Sequence, residues 1–155
     1  MIEAITRPRP LAAWRWPLRA ARVAAAAGLA IDAYVHFDLA AEYAESGGVI
    51  NEGVLFRIEA VMALLAAVAV IASGRLAALL AGLLVAGSAL TVVLVSRYAD
   101  LGPIGPLPNL YDPVWYPEKL LAAFAEGAAS AAALAGAIFI GLARRTAKRS
   151  PVHGR

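Results

Sequence analysis

Residues 61–87, VMALLAAVAVIASGRLAALLAGLLVAG, are two charge-free apolar runs separated by a short break at Ser73, Gly74 and Arg75. A helix needs about 20 predominantly apolar residues to cross the hydrocarbon core of a bilayer. With their flanking residues the two runs reach that length, and they predict membrane-spanning helices over residues 52–72 and 75–97. Residues 17–41 and 117–142 predict a first and a fourth span in the same way. The sequence therefore predicts an all-α protein, an integral membrane four-helix bundle.

The composition of the chain is typical of a membrane protein. Of its 155 residues 61% are apolar, whereas soluble domains average roughly 45–50%. Mean hydropathy is +0.70. The chain contains no cysteine, which excludes disulfides, thiolate metal sites and iron–sulfur clusters.

Basic residues predict the orientation of the helices, because Lys and Arg are enriched in cytoplasmic loops. They are concentrated in the N-terminal segment, residues 1–16, at Arg75, and in the tail, residues 143–155. We therefore expect both termini in the cytoplasm and the protein in the inner (cell) membrane. Since these flanks account for the net charge of +3, no nucleic-acid partner is expected. Asp32 and His36 interrupt the first apolar run, so we expect that run to be retained and not removed as a signal peptide.

The loop between the third and fourth spans, YADLGPIGPLPNLYDPVWYP (residues 98–117), is rich in proline and aromatic residues. Proline fixes its own backbone and restricts the preceding residue, so this outer loop should be stiff and non-helical. Tyrosine and tryptophan are enriched at membrane–water interfaces, which favours an interfacial anchor. The alternative is a lid over the bundle, formed by Tyr111, Trp115 and Tyr116.

Small residues recur at four-residue spacing within the predicted spans. In lipid such residues allow two helices to approach closely. The predicted contact positions are Ala24 and Gly28 on the first span, Ala78, Gly82 and Ala86 on the third, and Ala128, Ala132 and Gly136 on the fourth.

Ionisable residues interrupt the spans near their predicted outer ends. Asp32 and His36 lie one turn apart on one face of the first span, and Tyr43 continues that face. Glu59 lies roughly 10 Å from the start of the second span, and Glu126 roughly 13 Å from the start of the fourth. Because a charged side chain is costly in hydrocarbon, these residues should face the interior of the bundle.

These residues together predict an outward-facing polar pocket for a ligand or for protons. Its expected members are Asp32, His36, Tyr43, Glu59, Glu126, Arg57 and Arg97. The two arginines are expected to be counter-ions for two of the acids. The alternative is that all of these residues only form ion pairs that hold the bundle in register. Neither a Glu-x-x-His pair nor a second histidine at membrane level is present, so we expect no metal site, and the sequence specifies neither a cofactor nor a catalytic residue.

Two polar stretches carry a resemblance to a known family. The first span ends in HFDLAAEY (residues 36–43) and the second begins with EGVLFRIEA (residues 52–60), within a four-span chain of 155 residues. In these features the chain resembles the small four-span membrane proteins grouped as DoxX-like. The resemblance implies a membrane subunit, in some cases associated with quinone-linked oxidoreductases.

Three functions are open on the sequence alone. The first expectation is a non-catalytic accessory or interaction subunit, in contact with the lipid bilayer and with a larger membrane complex or further copies of itself. The alternatives are a proton-coupled or small-solute-binding transporter and a quinone-interacting redox subunit. The motifs typical of nucleophilic catalysis and of phosphate binding are absent from the sequence, which favours a non-catalytic role and leaves enzymatic activity open.

Overall fold

A computed structural model describes residues 15–47 and 49–149, with side chains as far as residue 146. Four α-helices make up most of this part of the chain: α1 (Arg15–Leu39), α2 (Glu52–Ser73), α3 (Leu76–Tyr98) and α4 (Pro117–Arg149). Within the described residues the only β-type pairing is an isolated bridge between Ile104 and Leu107. The prediction of an all-α protein is confirmed.

The helix ends follow local sequence signals. Asn51 precedes α2, and its Oδ1 accepts a hydrogen bond from the backbone N–H of Val54 at 2.9 Å, as an N-cap residue does. Gly74 terminates the same helix with a φ of 55°, a left-handed conformation that favours glycine. α4 begins at Pro117, where the missing N–H costs nothing because first-turn donors have no partner within a helix.

Three helix ends differ from the expected limits by two residues or more, and the first is the start of α1 at Arg15 in place of residue 17. α1 ends at Leu39, before residue 41, and the chain continues through a 3₁₀ turn at Glu42–Glu45. α4 continues beyond residue 142 to Arg149, because neither glycine nor proline follows Gly141 within the helix. Most of the predicted basic N-terminal segment (residues 1–14) and the end of the predicted basic tail (residues 150–155) lie outside the described residues.

The helices form a ring in which each packs against the next, and α4 packs against α1 to close it. Arg22, near the start of α1, reaches the last turn of α2. Its Nε donates to the carbonyl oxygen of Val70 at 3.0 Å, and its guanidinium also donates to that of Ile71. The carbonyl oxygens of the last turn have no hydrogen-bond donor within their own helix, and Arg22 supplies one. The contact places the start of α1 beside the end of α2, so the two helices run antiparallel.

The core is made of small residues, and large apolar side chains cover the outside. Ala25, Ala63 and Ala129 are fully buried, and the few large core side chains include Leu29 and Leu79. The exposed large apolar side chains include Ile58, Leu65, Val68, Leu84 and Phe124. A protein surrounded by lipid gains nothing by hiding such side chains, and its helices associate through close backbone packing.

Three helices are long and apolar enough to cross a membrane: Glu52–Ser73, Leu76–Tyr98 and Pro117–Thr146. In each, 28% of the most apolar stretch is buried within the bundle, which leaves most of it facing outward. The sequence predicted four spans. α1 is long enough but is not among the three, and Arg22, Asp32 and His36 lower the hydropathy of its central stretch.

The predicted contact positions were partly right. On α3 the three expected small residues, Ala78, Gly82 and Ala86, are all buried, and Ala89 is buried as well. On α1 Gly28 is buried, but Ala24 is exposed. On α4 Gly136 is buried, but Ala128 is exposed and Ala132 only half-buried. The two fully buried alanines of α4 lie one position further along, at Ala129 and Ala133.

The contact between α1 and α4 should be sensitive to the size of residue 28. A Cβ atom on Gly28 would lie 2.7 Å from the carbonyl oxygen of Ala125 and 2.9 Å from Cβ of Ala129. Gly28→Ala should therefore force the helices apart and destabilise the protein by about 1–3 kcal/mol, the usual cost of overpacking. The measurement is the thermal unfolding midpoint in lipid nanodiscs.

Gly141→Ala is the matched control on α4, because a Cβ there meets nothing within 4 Å. Its midpoint should be unchanged or higher, since alanine favours a helix over glycine by about 1 kcal/mol. Equal midpoints for the two variants would contradict the close approach of α1 and α4.

Candidate functional site

Asp32, His36 and Glu126 come together between α1 and α4. Asp32 and Glu126 are 0% exposed, and His36 is 7% exposed. One nitrogen or oxygen atom from each side chain lies within 4.8 Å of those of the other two. These three residues, called the buried cluster below, are members of the pocket that the sequence predicted.

The imidazole ring of His36 is held on two sides. Its Nδ1 lies 2.8 Å from Oδ1 of Asp32 and donates a hydrogen bond to the backbone carbonyl oxygen of Asp32 at 3.1 Å. Because both of these neighbours are acceptors, Nδ1 must carry a proton. The ring also packs edge-on against Phe56 of α2, with centroids 5.3 Å apart and an interplanar angle of 82°. Helix α1 supplies the ring, and α2 fixes its orientation.

The carboxylates of the buried cluster have unused hydrogen-bonding capacity. None of the oxygens of Asp32 or Glu126 has a hydrogen-bond partner among the described residues, because Nδ1 of His36 approaches Asp32 closely without the angle of a hydrogen bond. Oε1 of Glu59 on α2 is also buried without a hydrogen-bond partner among the described residues. A buried acceptor without a partner costs roughly 1–3 kcal/mol, and a buried charge costs more. These oxygens are therefore ready to accept a proton, a cation or a hydrogen-bond donor.

A cavity of about 330 Å³ extends from His36 and Glu59 toward the loop before α4. All four helices line it, and its apolar wall includes Leu39, Phe56 and Val92. Its polar lining residues are His36, Tyr43, Glu52, Glu59, Ser96, Asp112, Tyr116 and Lys119. This volume and this mixture of apolar wall and few polar groups are typical of small-molecule sites.

Lys119, Asp112 and Glu52 line the cavity, and the sequence analysis missed all three. Lys119 is only 6% exposed, and its Nζ donates to the backbone carbonyl oxygen of Asp112 at 2.6 Å and to Oδ2 at 3.1 Å. The same Nζ lies 5.8 Å from the ring centroid of Trp115 and 6.0 Å from that of Tyr116. One sequence signal was present: a lysine in the first turn of α4 opposes the helix dipole and needs a nearby anion.

Two tyrosines join the connections at this end of the bundle. The hydroxyl groups of Tyr43 and Tyr116 share a hydrogen bond at 3.0 Å, and the ring of Tyr43 packs on Phe56 at 5.0 Å. Burial, and then the hydrogen bond to Tyr43, raise the pKa of the Tyr116 phenol above its ordinary value of 10.0. The phenol therefore stays neutral and remains available as a donor beside the cavity.

Of the three residues predicted to form a lid, only Tyr116 lies at the cavity. Tyr116 lines the cavity, together with Leu107 and Asp112 of the same loop, whereas Tyr111 and Trp115 do not. Tyr111 is 40% exposed and borders a second cavity of about 250 Å³ between the loop and α3. No acidic or basic side chain lines that second cavity. The ionisable groups of the candidate site therefore line the cavity of about 330 Å³.

The two predicted counter-ions do not reach the cavity. Arg57 is exposed because it lies two residues from Glu59, about 200° around the helix, and therefore faces away when Glu59 faces inward. The guanidinium of Arg97 lies over the rings of Tyr98, at 5.0 Å, and Trp115, at 6.0 Å. In the described part of the chain neither arginine forms a salt bridge, so the expected pairing with two of the buried acids is not found.

Comparison of the chain with protein-family models, with curated proteins and with solved structures gives no match. The resemblance to DoxX-like proteins therefore stays a prediction. The function has to be argued from the cavity and the buried cluster.

Alkaline pH should destabilise the protein through Tyr116. The folded state keeps this phenol protonated at a pH where the unfolded state has begun to lose the proton, above about 10. The unfolded state is therefore favoured as the pH rises, and unfolding midpoints between about pH 9 and 11 should fall less steeply in Tyr116→Phe than in the wild type. Tyr111→Phe, at an exposed position of the same loop, is the control. A slope unchanged by Tyr116→Phe would contradict the burial of its hydroxyl group.

Proposed function

We propose that the protein is a small inner-membrane protein that binds a small amphipathic molecule in the cavity and acts as a non-catalytic accessory subunit. The observation that carries this proposal is the cavity itself: its apolar wall leads to His36 and to Glu59, whose Oε1 has no hydrogen-bond partner among the described residues. A ligand with an apolar body and a hydrogen-bond-donating head group complements both parts. A quinol has this chemistry, and it agrees with the association that the DoxX-like resemblance implies.

The membrane location is supported by α2, α3 and α4, which are long and apolar enough to span a bilayer. α1 acts as the fourth span in this proposal. Its Asp32 and His36 are buried against the other helices, while Val23, Tyr34 and Phe37 on its outer face are exposed. A helix that turns its polar residues into the bundle and its apolar residues outward is suited to lipid.

The orientation of the bundle across the membrane is inferred from the arginines at one of its ends. Arg22, Arg75 and Arg144 belong to the helix ends opposite the cavity. Because basic residues are enriched on the cytoplasmic side, that end faces the cytoplasm and the cavity opens toward the outer surface. Both termini are then cytoplasmic.

A binding role is favoured over transport by the packing beyond the buried cluster. Toward the cytoplasmic end the bundle is filled by Leu29, Val70 and Leu79, each fully buried. The cavity thus ends at the buried cluster and does not continue across the bundle. In this proposal the ligand is held for a partner, either a larger membrane complex or a second copy of the chain.

Cavity filling tests the proposal. Ala122 lines the cavity and is 3% exposed, whereas Ala128 on the same helix is exposed. Native mass spectrometry of protein extracted gently from its own membrane should show an added mass of a few hundred daltons in the wild type and in Ala128→Phe. Ala122→Phe should lose that mass, because the new ring occupies the binding volume.

Circular dichroism of both phenylalanine variants serves as the folding control. Retention of the same added mass by Ala122→Phe would contradict binding in this cavity. A wild-type chain that carries no added mass would overturn the ligand-binding role.

A further inference from the structure

We propose that Asp32, His36 and Glu126 bind one divalent transition-metal ion. Each residue contributes one ligand atom, and these atoms lie within 4.8 Å of one another. The two carboxylates come from different helices, Asp32 from α1 and Glu126 from α4, so the site depends on the fold and not on a local motif.

The carboxylates point to a cation because His36 is the one basic side chain in the described chain that forms an ion pair with them. Its Nδ1 lies 2.8 Å from Oδ1 of Asp32, so it balances at most one of two negative charges. Both carboxylates are 0% exposed, and their four oxygens have no hydrogen-bond partner among the described residues. Lys119 donates to Asp112, and neither Arg57 nor Arg97 forms a salt bridge there. A metal ion would satisfy several of these oxygens at once, whereas ion pairing with His36 alone leaves Glu126 without a partner.

The donor set selects the class of ion. Imidazole favours Zn²⁺ and Fe²⁺, and carboxylates favour harder ions such as Mn²⁺, so one histidine with two carboxylates suits ions of the Mn²⁺, Fe²⁺ and Zn²⁺ group. Ligand atoms at about 2.1 Å from one ion lie roughly 3–3.4 Å apart. Because Nδ1 of His36 donates to the backbone carbonyl oxygen of Asp32, the nitrogen left to bind an ion is Nε2, and a ligating histidine usually has its other N–H held in this way. The widest separation, up to 4.8 Å, requires a small inward movement of a side chain.

The proposed ion would lie beside the cavity, because His36 both belongs to the buried cluster and lines the cavity, whereas Asp32 and Glu126 do not line it. Zinc and related ions that act on small molecules commonly have three protein ligands and a fourth position for water or another ligand. Glu59, whose Oε1 is buried without a partner among the described residues, lines the same cavity.

The test is metal binding by the intact chain in nanodiscs. After treatment with a chelator, the protein is titrated separately with Zn²⁺ and with Mn²⁺. The bound metal is then quantified by inductively coupled plasma mass spectrometry. The wild type should bind one equivalent of at least one of these ions. Asp32→Asn and Glu126→Gln should each weaken metal binding about tenfold or more, since each replaces an anionic carboxylate ligand by a neutral amide of nearly the same shape.

Glu118→Gln is the matched control, because Glu118 is an exposed carboxylate in the first turn of the same helix as Glu126. It should bind metal as the wild type does. Circular dichroism establishes that each variant is folded. A wild type that binds neither ion, or full binding by folded Glu126→Gln and Asp32→Asn, would overturn the proposal.

The outcome is separable from that of the ligand-binding proposal. Ala122→Phe fills the cavity and leaves all three ligand residues in place, so it should lose the added organic mass and keep the metal. Metal binding without an added mass would contradict only the proposed function, and an added mass without metal would contradict only the present inference.

Discussion

Two fully buried carboxylates, Asp32 on α1 and Glu126 on α4, come together with His36 as the one basic side chain of the cluster. Their burial constrains the bundle, because lipid cannot stabilise a charge and the interior must supply what it needs. α1 must turn its Asp32 face inward, which is why its apolar residues Tyr34 and Phe37 point outward. The cavity lies where this polar face meets α2 and the loop before α4.

The closest helix contact and the buried cluster belong to one arrangement. Gly28 lies one turn before Asp32, and Ala125, which it contacts, immediately precedes Glu126. The absence of a side chain at residue 28 therefore sets the separation of α1 and α4 at the level of the two carboxylates. A wider separation would leave the carboxylates too far apart to share one cation, so packing and chemistry constrain the same pair of helices.

Periodic and strongly biased features could be predicted from the sequence, whereas features that depend on helix rotation could not. The long apolar runs, with boundary signals at Gly74 and Pro117, predicted the helices. The high cost of placing Asp32 and His36 against lipid predicted that both are buried inside the bundle. Arg57 was misplaced because its direction depends on how α2 is rotated. The contact face of α4 was misjudged because alanine occupies ten of the sixteen positions from 122 to 137, so four-residue spacing fits several faces. The burial of Lys119 depends on a contact with the loop that spacing alone does not reveal.

The central claim is that a cavity open to the outer face of the membrane leads inward to the buried cluster and ends there. Because the chain has no cysteine, a single introduced thiol reports one position without background. Ser96 lines the cavity and is half-buried, whereas Ala86, roughly 15 Å deeper on α3, is fully buried in the core. In intact cells a membrane-impermeant maleimide added from outside should label Ser96→Cys and leave Ala86→Cys unlabelled. Labelling of Ser96→Cys only in inverted vesicles, or equal labelling of both positions, would contradict the account.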